Sequence, residues 1–179
     1  MSQYQKGVGL VEVLVALLLL AVAVMGFIAL QYRAIEATSE SGARVEAISL
    51  ARDLAEKVRV NRTADDKYTS ELSDPDTQRD FETNCFEQSC TASELADFDV
   101  AQIVNKARSM GMAVNYIPCP NTENGRNCIY VAWGETSPTD ADSDGDSDGD
   151  SDGDSIVLGN CTVGAAYHPE STCLIMEVY

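Results

Sequence analysis

Three groups of residues in this chain could do chemistry. Six cysteines, Cys85, Cys90, Cys119, Cys128, Cys161 and Cys173, all lie in the polar part of the sequence. They could form disulfides or bind zinc. The gaps between neighbours are x4, x8 and x11 within the pairs 85/90, 119/128 and 161/173, and His168 is the only histidine. Zinc sites favour C-x2-C pairs, so the spacing points to a disulfide framework in an oxidising compartment. Second, eight aspartates, Asp140, Asp142, Asp144, Asp146, Asp148, Asp150, Asp152 and Asp154, alternate with Ser, Gly and Ala. Third, Glu12 stands alone near the start of an apolar run.

The aspartates invite a calcium reading. Hard cations take oxygen ligands, and Asp144, Asp146, Asp148 and Gly149 fit positions 1, 3, 5 and 6 of a calcium loop. Position 12 is then Ser155, and the other registers place Ser151 or Gly159 there, so none supplies the closing glutamate. Weak calcium binding competes with a self-repelling low-complexity loop. No Walker loop, HExxH or G-x-S-x-G is present, and His168 has no nucleophile arranged around it. The sequence reads as that of a non-enzyme.

The elements that must position these groups follow from patterning. The chain has 179 residues, 45% hydrophobic and 23% charged, with a net charge of -17. That suits one ordinary domain. The acidity, with no basic run, excludes a nucleic-acid-binding domain and an electrostatic hold on anionic lipid. Residues 1–7 are polar, with Lys6 the one charge, and residues 8–30 form an apolar segment interrupted only by Glu12. As a helix it would span about 34 Å, enough for a hydrocarbon core of about 30 Å. Lys6 predicts a cytoplasmic N-terminus and places the cysteines across the membrane. A buried carboxylate in such a helix costs a few kcal/mol, and a signal peptide or plain anchor has no use for it.

Residues 31–61 contain no proline, and Ile48, Ala51, Leu54, Ala55 and Val58 recur at helical spacing. One long helix from about Val8 to Arg59 is expected, weakest at Gly26 and Ser41-Gly42. Asp74-Pro75-Asp76 marks a turn. Thr91-Ala92-Ser93-Glu94 reads as a capping box opening a second helix that ends at Gly111. Strands are expected at 113–117, 128–133, 156–158 and 173–179. Cys119 and Cys128 flank a turn-rich connection, which makes Cys119–Cys128 the best-supported pair. Cys85–Cys90 and Cys161–Cys173 follow as nearest neighbours, although six cysteines allow 15 connectivities.

The run Gly7-Val8-Gly9-Leu10-Val11-Glu12-Val13-Leu14-Val15-Ala16-Leu17 resembles the class III leader of type IV prepilins, with Val8 in place of the usual phenylalanine and Gly9 in place of Thr or Ser. The resemblance implies cleavage between Gly7 and Val8 by a prepilin peptidase acting in trans and N-methylation of Val8. Glu12 becomes the fifth mature residue and sets assembly register by meeting a neighbour's Val8 amine. It further implies an α+β pilin-like fold: leader 1–7, membrane and filament-core helix 8–30, amphipathic continuation 31–61, and a head 62–179 with a small antiparallel sheet, stapled by disulfides and carrying an Asp-rich loop 140–155.

Cys90-Thr91-Ala92-Ser93-Glu94-Leu95-Ala96, Val131-Ala132-Trp133 and Cys173-Leu174-Ile175-Met176-Glu177-Val178-Tyr179 are similar to PilV-type minor pilins, the type IV pilus modification proteins. Such a subunit primes pilus assembly, sits at or near the tip, and supports adhesion and twitching. Its partners are other minor pilins, the major pilin, a tip adhesin and the prepilin peptidase/methylase. It resides in the inner membrane of a Gram-negative bacterium, head in the periplasm, before joining the extracellular pilus, and needs no cofactor. A minor pseudopilin of a type II secretion system shares the leader and helix. A membrane-anchored calcium-dependent binding module is a third reading.

Overall fold

The computed structural model describes residues 9–120, 122, 125–141, 159–164 and 166–178. The expected leader cut at Gly7 and Val8, the expected strand at 156–158, and Asp142 to Asp154 lie outside the described residues. The chain divides into two compact units, Met1–Gly42 and Ala43–Tyr179.

Helix α1, Leu10–Val60, belongs to both. Its 51 residues contain no proline, and the helix runs on through Gly26 and Gly42 without a break. In the first unit every residue from Gly9 to Ser39 is exposed, the leucines and valines included. From Ala47 onward the helix buries one stripe, Ala47, Leu50, Ala51, Leu54, Ala55 and Val58, at 3- and 4-residue spacing.

The second unit begins at Ala43, and that stripe is part of its core. After a single helical turn at Arg62–Ala64 come α2 (Asp65–Ser73) and α3 (Ala92–Ser109). Helix α2 lies in the polar stretch ahead of the Asp74-Pro75-Asp76 turn. It buries Tyr68 and Leu72, four residues apart, and starts with Asp65 and Asp66 on the favourable side of the helix dipole. Helix α3 opens with a complete capping box: Thr91 Oγ1 accepts from Glu94 N–H, and Glu94 Oε2 accepts from Thr91 N–H at 2.8 Å. Gly111, at φ +71°, turns the chain out of α3.

Strands β1 (Met112–Pro118), β2 (Asn127–Trp133) and β6 (Cys173–Glu177) form an antiparallel sheet in the order β1-β2-β6. A second sheet joins β3 (Ser137–Asp140) to β4 (Asn160–Val163) in parallel, and β4 to β5 (Ala166–Tyr167) in antiparallel fashion. Strand β2 is covered on both faces. Ile129 and Val131 meet the helices, together with Val114 and Tyr116 of β1. Cys128, Tyr130 and Ala132 meet the second layer, together with Cys119 and Cys161. This double cover is why β2 is a continuous apolar run instead of an alternating one.

Candidate assembly site

Glu12 lies in the first turn of α1, and its backbone N–H donates to Gly9 O at 2.9 Å. A negative charge at a helix N-terminus is favourable. Around it Leu10, Val11, Val13 and Leu14 are all exposed, between 48% and 77%. α1 alone among the described helices is long and apolar enough to cross a membrane. From Leu10 to Leu30 it is therefore an apolar rod with one acid near its head, whose surface calls for lipid or for other rods.

The structure pairs the cysteines as Cys85–Cys90, Cys119–Cys128 and Cys161–Cys173, with Cα separations of 5.5, 4.9 and 5.8 Å. Each has a distinct place. Cys85–Cys90 closes the loop ahead of α3. Cys119–Cys128 ties β1 to β2 where the two strands part. Cys161–Cys173 joins β4 of the second sheet to β6 at the edge of the first.

Asp140 stands apart from the aspartates that follow it. It is 3% exposed, and its Oδ1 accepts from Thr162 Oγ1 at 3.0 Å and from Gly164 N–H at 2.9 Å. That carboxylate fastens β3 to the end of β4. Among the described residues no group of three or more His, Cys, Asp or Glu side chains is placed to hold a metal ion. His168 sits in the loop after β5, and its Nδ1 accepts a long bond from Glu170 N–H at 3.4 Å.

Two polar clusters, the first buried and the second half-buried, tie the helices to one another and to the sheet, and no local pattern in the sequence marks either. Asp99 of α3 bonds Lys57 Nζ of α1 and, through Oδ2, accepts from Tyr68 Oη of α2 at 2.8 Å. Asp65 accepts from Tyr116 Oη at 2.8 Å and Asn127 Nδ2 at 3.1 Å. Burial, and then the hydrogen bond to a carboxylate, raise both tyrosine pKa values well above the ordinary phenol range. The partners are 31 to 62 residues apart in sequence, so no local pattern signals them.

In front of α3 three phenylalanines meet. Phe98 is buried, and the rings of Phe81 and Phe86 stand edge-on to it at 4.9 and 5.0 Å. Phe86 remains 83% exposed. Its position inside the Cys85–Cys90 loop was the one signal that marked it.

Residues 2–28 match the family model for the prokaryotic N-terminal methylation motif. Residues 29–101 match the one described as type IV pilin Tt1218. The two matches meet within α1 and together cover the apolar rod, the buried stripe, α2 and the start of α3. The two matches support a type IV pilin-like protein, and the leader motif and apolar helix suit membrane anchoring and pilus assembly. No curated protein and no solved structure matches it.

Proposed function

We propose that this chain is a minor pilin, which primes assembly of a type IV pilus and is incorporated at or near its tip, in support of adhesion and twitching motility. Charge carries the reading. The 29 acidic residues against 12 basic ones leave -17, and eight of the acids fall between Asp140 and Asp154. A shaft subunit must set its head against many copies of itself, and like-charged surfaces at contact repel. A subunit used in few copies is surrounded by other subunits and avoids that repulsion. The similarity of Cys90 to Ala96, Val131 to Trp133 and Cys173 to Tyr179 to PilV-type minor pilins points the same way.

In this reading a prepilin peptidase cuts between Gly7 and Val8 in trans, the Val8 amine is methylated, and the helix waits in the inner membrane of a Gram-negative cell with its head in the periplasm. Glu12 then meets the Val8 amine of a neighbour. The pair stabilises weakly after desolvation, but a shifted register would leave a charge buried and unpaired. The partners are the other minor pilins, the major pilin and a tip adhesin. The chain catalyses nothing and needs no cofactor.

Deletion of the gene tests this. Surface pili should fall sharply while exoprotein secretion is unchanged, and the mature chain should be far scarcer in sheared pili than the shaft subunit. Loss of secretion with normal piliation would make it a minor pseudopilin of a type II secretion system instead, and stoichiometry equal to the shaft subunit would make it a shaft component.

A further inference from the structure

We infer that the Phe81–Phe98–Phe86 platform in front of α3 is a docking surface for a different subunit of the same assembly, one that presents an apolar residue beside an arginine or lysine. The inference rests on the filament reading above for the identity of the partner as a pilus subunit.

The platform is exposed and fixed at once. Phe98 is 4% exposed and anchors the two outer rings, whose planes lie at 81° and 87° to its own. Such edge-to-face pairs are favourable beyond the area they bury. The Cys85–Cys90 bond closes the short loop that carries Phe86. Just before it, Asn84 Oδ1 accepts from Phe86 N–H at 3.1 Å, and Asn84 O accepts from Glu87 and Gln88 N–H at 3.1 and 3.2 Å. A ring held this way loses little further freedom on docking, so contact area there converts efficiently into affinity. Phe86 nevertheless leaves 83% of its surface in water, which the fold of this chain alone does not explain.

The surroundings specify the partner's charge. Phe81 also borders a cavity of about 330 Å³ whose rim carries Asp80, Glu82, Asp97 and Glu71. The one cation there is Lys67, already bound to Glu71. The second oxygen of Glu71 is buried without a hydrogen-bond partner, which leaves an open acceptor at that wall. Aromatic rings bordered by excess carboxylate favour a guanidinium or ammonium group, which can lie against a ring and donate to the acids. A metal ion fits less well, since no three ligands converge among the described residues. A second copy also fits poorly, because two chains of net charge -17 repel.

The test replaces Phe86 in the full chain with the photo-crosslinker p-benzoyl-L-phenylalanine, irradiates intact cells of the host, and identifies adducts by mass spectrometry. An adduct with another pilin-type subunit is expected, on a peptide containing Arg or Lys. Adding Asp80→Asn and Glu82→Gln should lower its yield roughly fivefold, the scale expected for two exposed charge contacts. The Cys85–Cys90 bond, checked by thiol alkylation, should persist in both variants. No adduct, an adduct with a second copy or with a protein outside the pilus assembly, a target peptide lacking a basic residue, or a yield unmoved by the two neutralised acids would each overturn the inference. The same cells report the unmodified chain in sheared pili. Its absence there counts against the minor-pilin reading, while the adduct still decides the docking surface.

Discussion

At the scale of single residues, two acids in different settings invite different tests. Glu12 is exposed in the first turn of an apolar helix. Its replacement by Ala should leave cleavage after Gly7 largely intact, yet reduce incorporation into pili at least about tenfold, the weight of one uncompensated charge in an apolar setting. Normal incorporation of Glu12→Ala would sink the register argument. Gly7→Leu should instead leave the precursor uncut, which the mass of the N-terminus reads directly. Asp99 is an acid of the other kind, with 10% of its side chain exposed and Lys57 and Tyr68 as partners. Asp99→Ala leaves a half-buried Lys57 without its counter-charge and Tyr68 without its acceptor, and should lower stability by about 3 kcal/mol, or the melting temperature by roughly 10 °C.

The two polar clusters set a pH dependence. Burial raises the pKa of Tyr68 and Tyr116, so the folded chain holds their phenols neutral where the unfolded chain would ionise them. That stabilisation is fully present below the ordinary phenol value of 10.0 and is lost as pH rises past it. Denaturant midpoints should therefore fall above that pH, and Tyr68→Phe should remove part of the slope. An unchanged slope would mean that Tyr68 does not titrate in the unfolded chain as supposed. Glu94 works at the acid end. Its bonds to the Thr91 backbone and hydroxyl hold its pKa below the usual 4.5, so its cap is present above that value and lost as pH falls.

At the scale of elements, legibility followed the length of the repeating pattern. α1 has 51 residues without proline, and the stripe from Ala51 to Val58 declares which face is core. α3 announced itself twice, by Thr91 and Glu94 at its start and by Gly111 after its end. α2 could not be read, because nine residues hold only Tyr68 and Leu72 as apolar positions, and two residues at one spacing make no period. Strand β3, Ser137-Pro138-Thr139-Asp140, has the composition of a turn. It is a strand because β4, some twenty residues later, lies beside it in parallel and Asp140 bonds Thr162 there. Disulfides act at this scale too. The pair Cys119→Ser with Cys128→Ser frees the ends of β1 and β2 and opens the layer that contains Tyr130 and Ala132. It should destabilise the head by about 2–4 kcal/mol, visible in thermal melts.

At the scale of the whole molecule, the dominant fact is charge. With a net charge of -17, self-repulsion opposes compactness and falls with ionic strength. The melting temperature should rise by a few degrees between about 10 mM and about 300 mM NaCl, over which the Debye length shrinks from about 30 Å to several ångströms. Neutralising Asp142 to Asp154 while keeping Asp140 should flatten that rise. Calcium should do no more than its ionic strength predicts, and a large calcium-specific shift would instead favour the binding-module reading.

The placement of the boundary between units at Gly42, inside α1, has a consequence for how this protein can be shed. The last stretch of α1 is part of the second unit's core, since Ala47, Leu50 and Leu54 are wholly enclosed. A protease that cut at or before Gly42 would leave that unit whole, whereas a cut a turn or two further on would remove its own keystone and leave a fragment that unravels. Time-resolved digestion should therefore yield one long-lived product, beginning no later than Ala43.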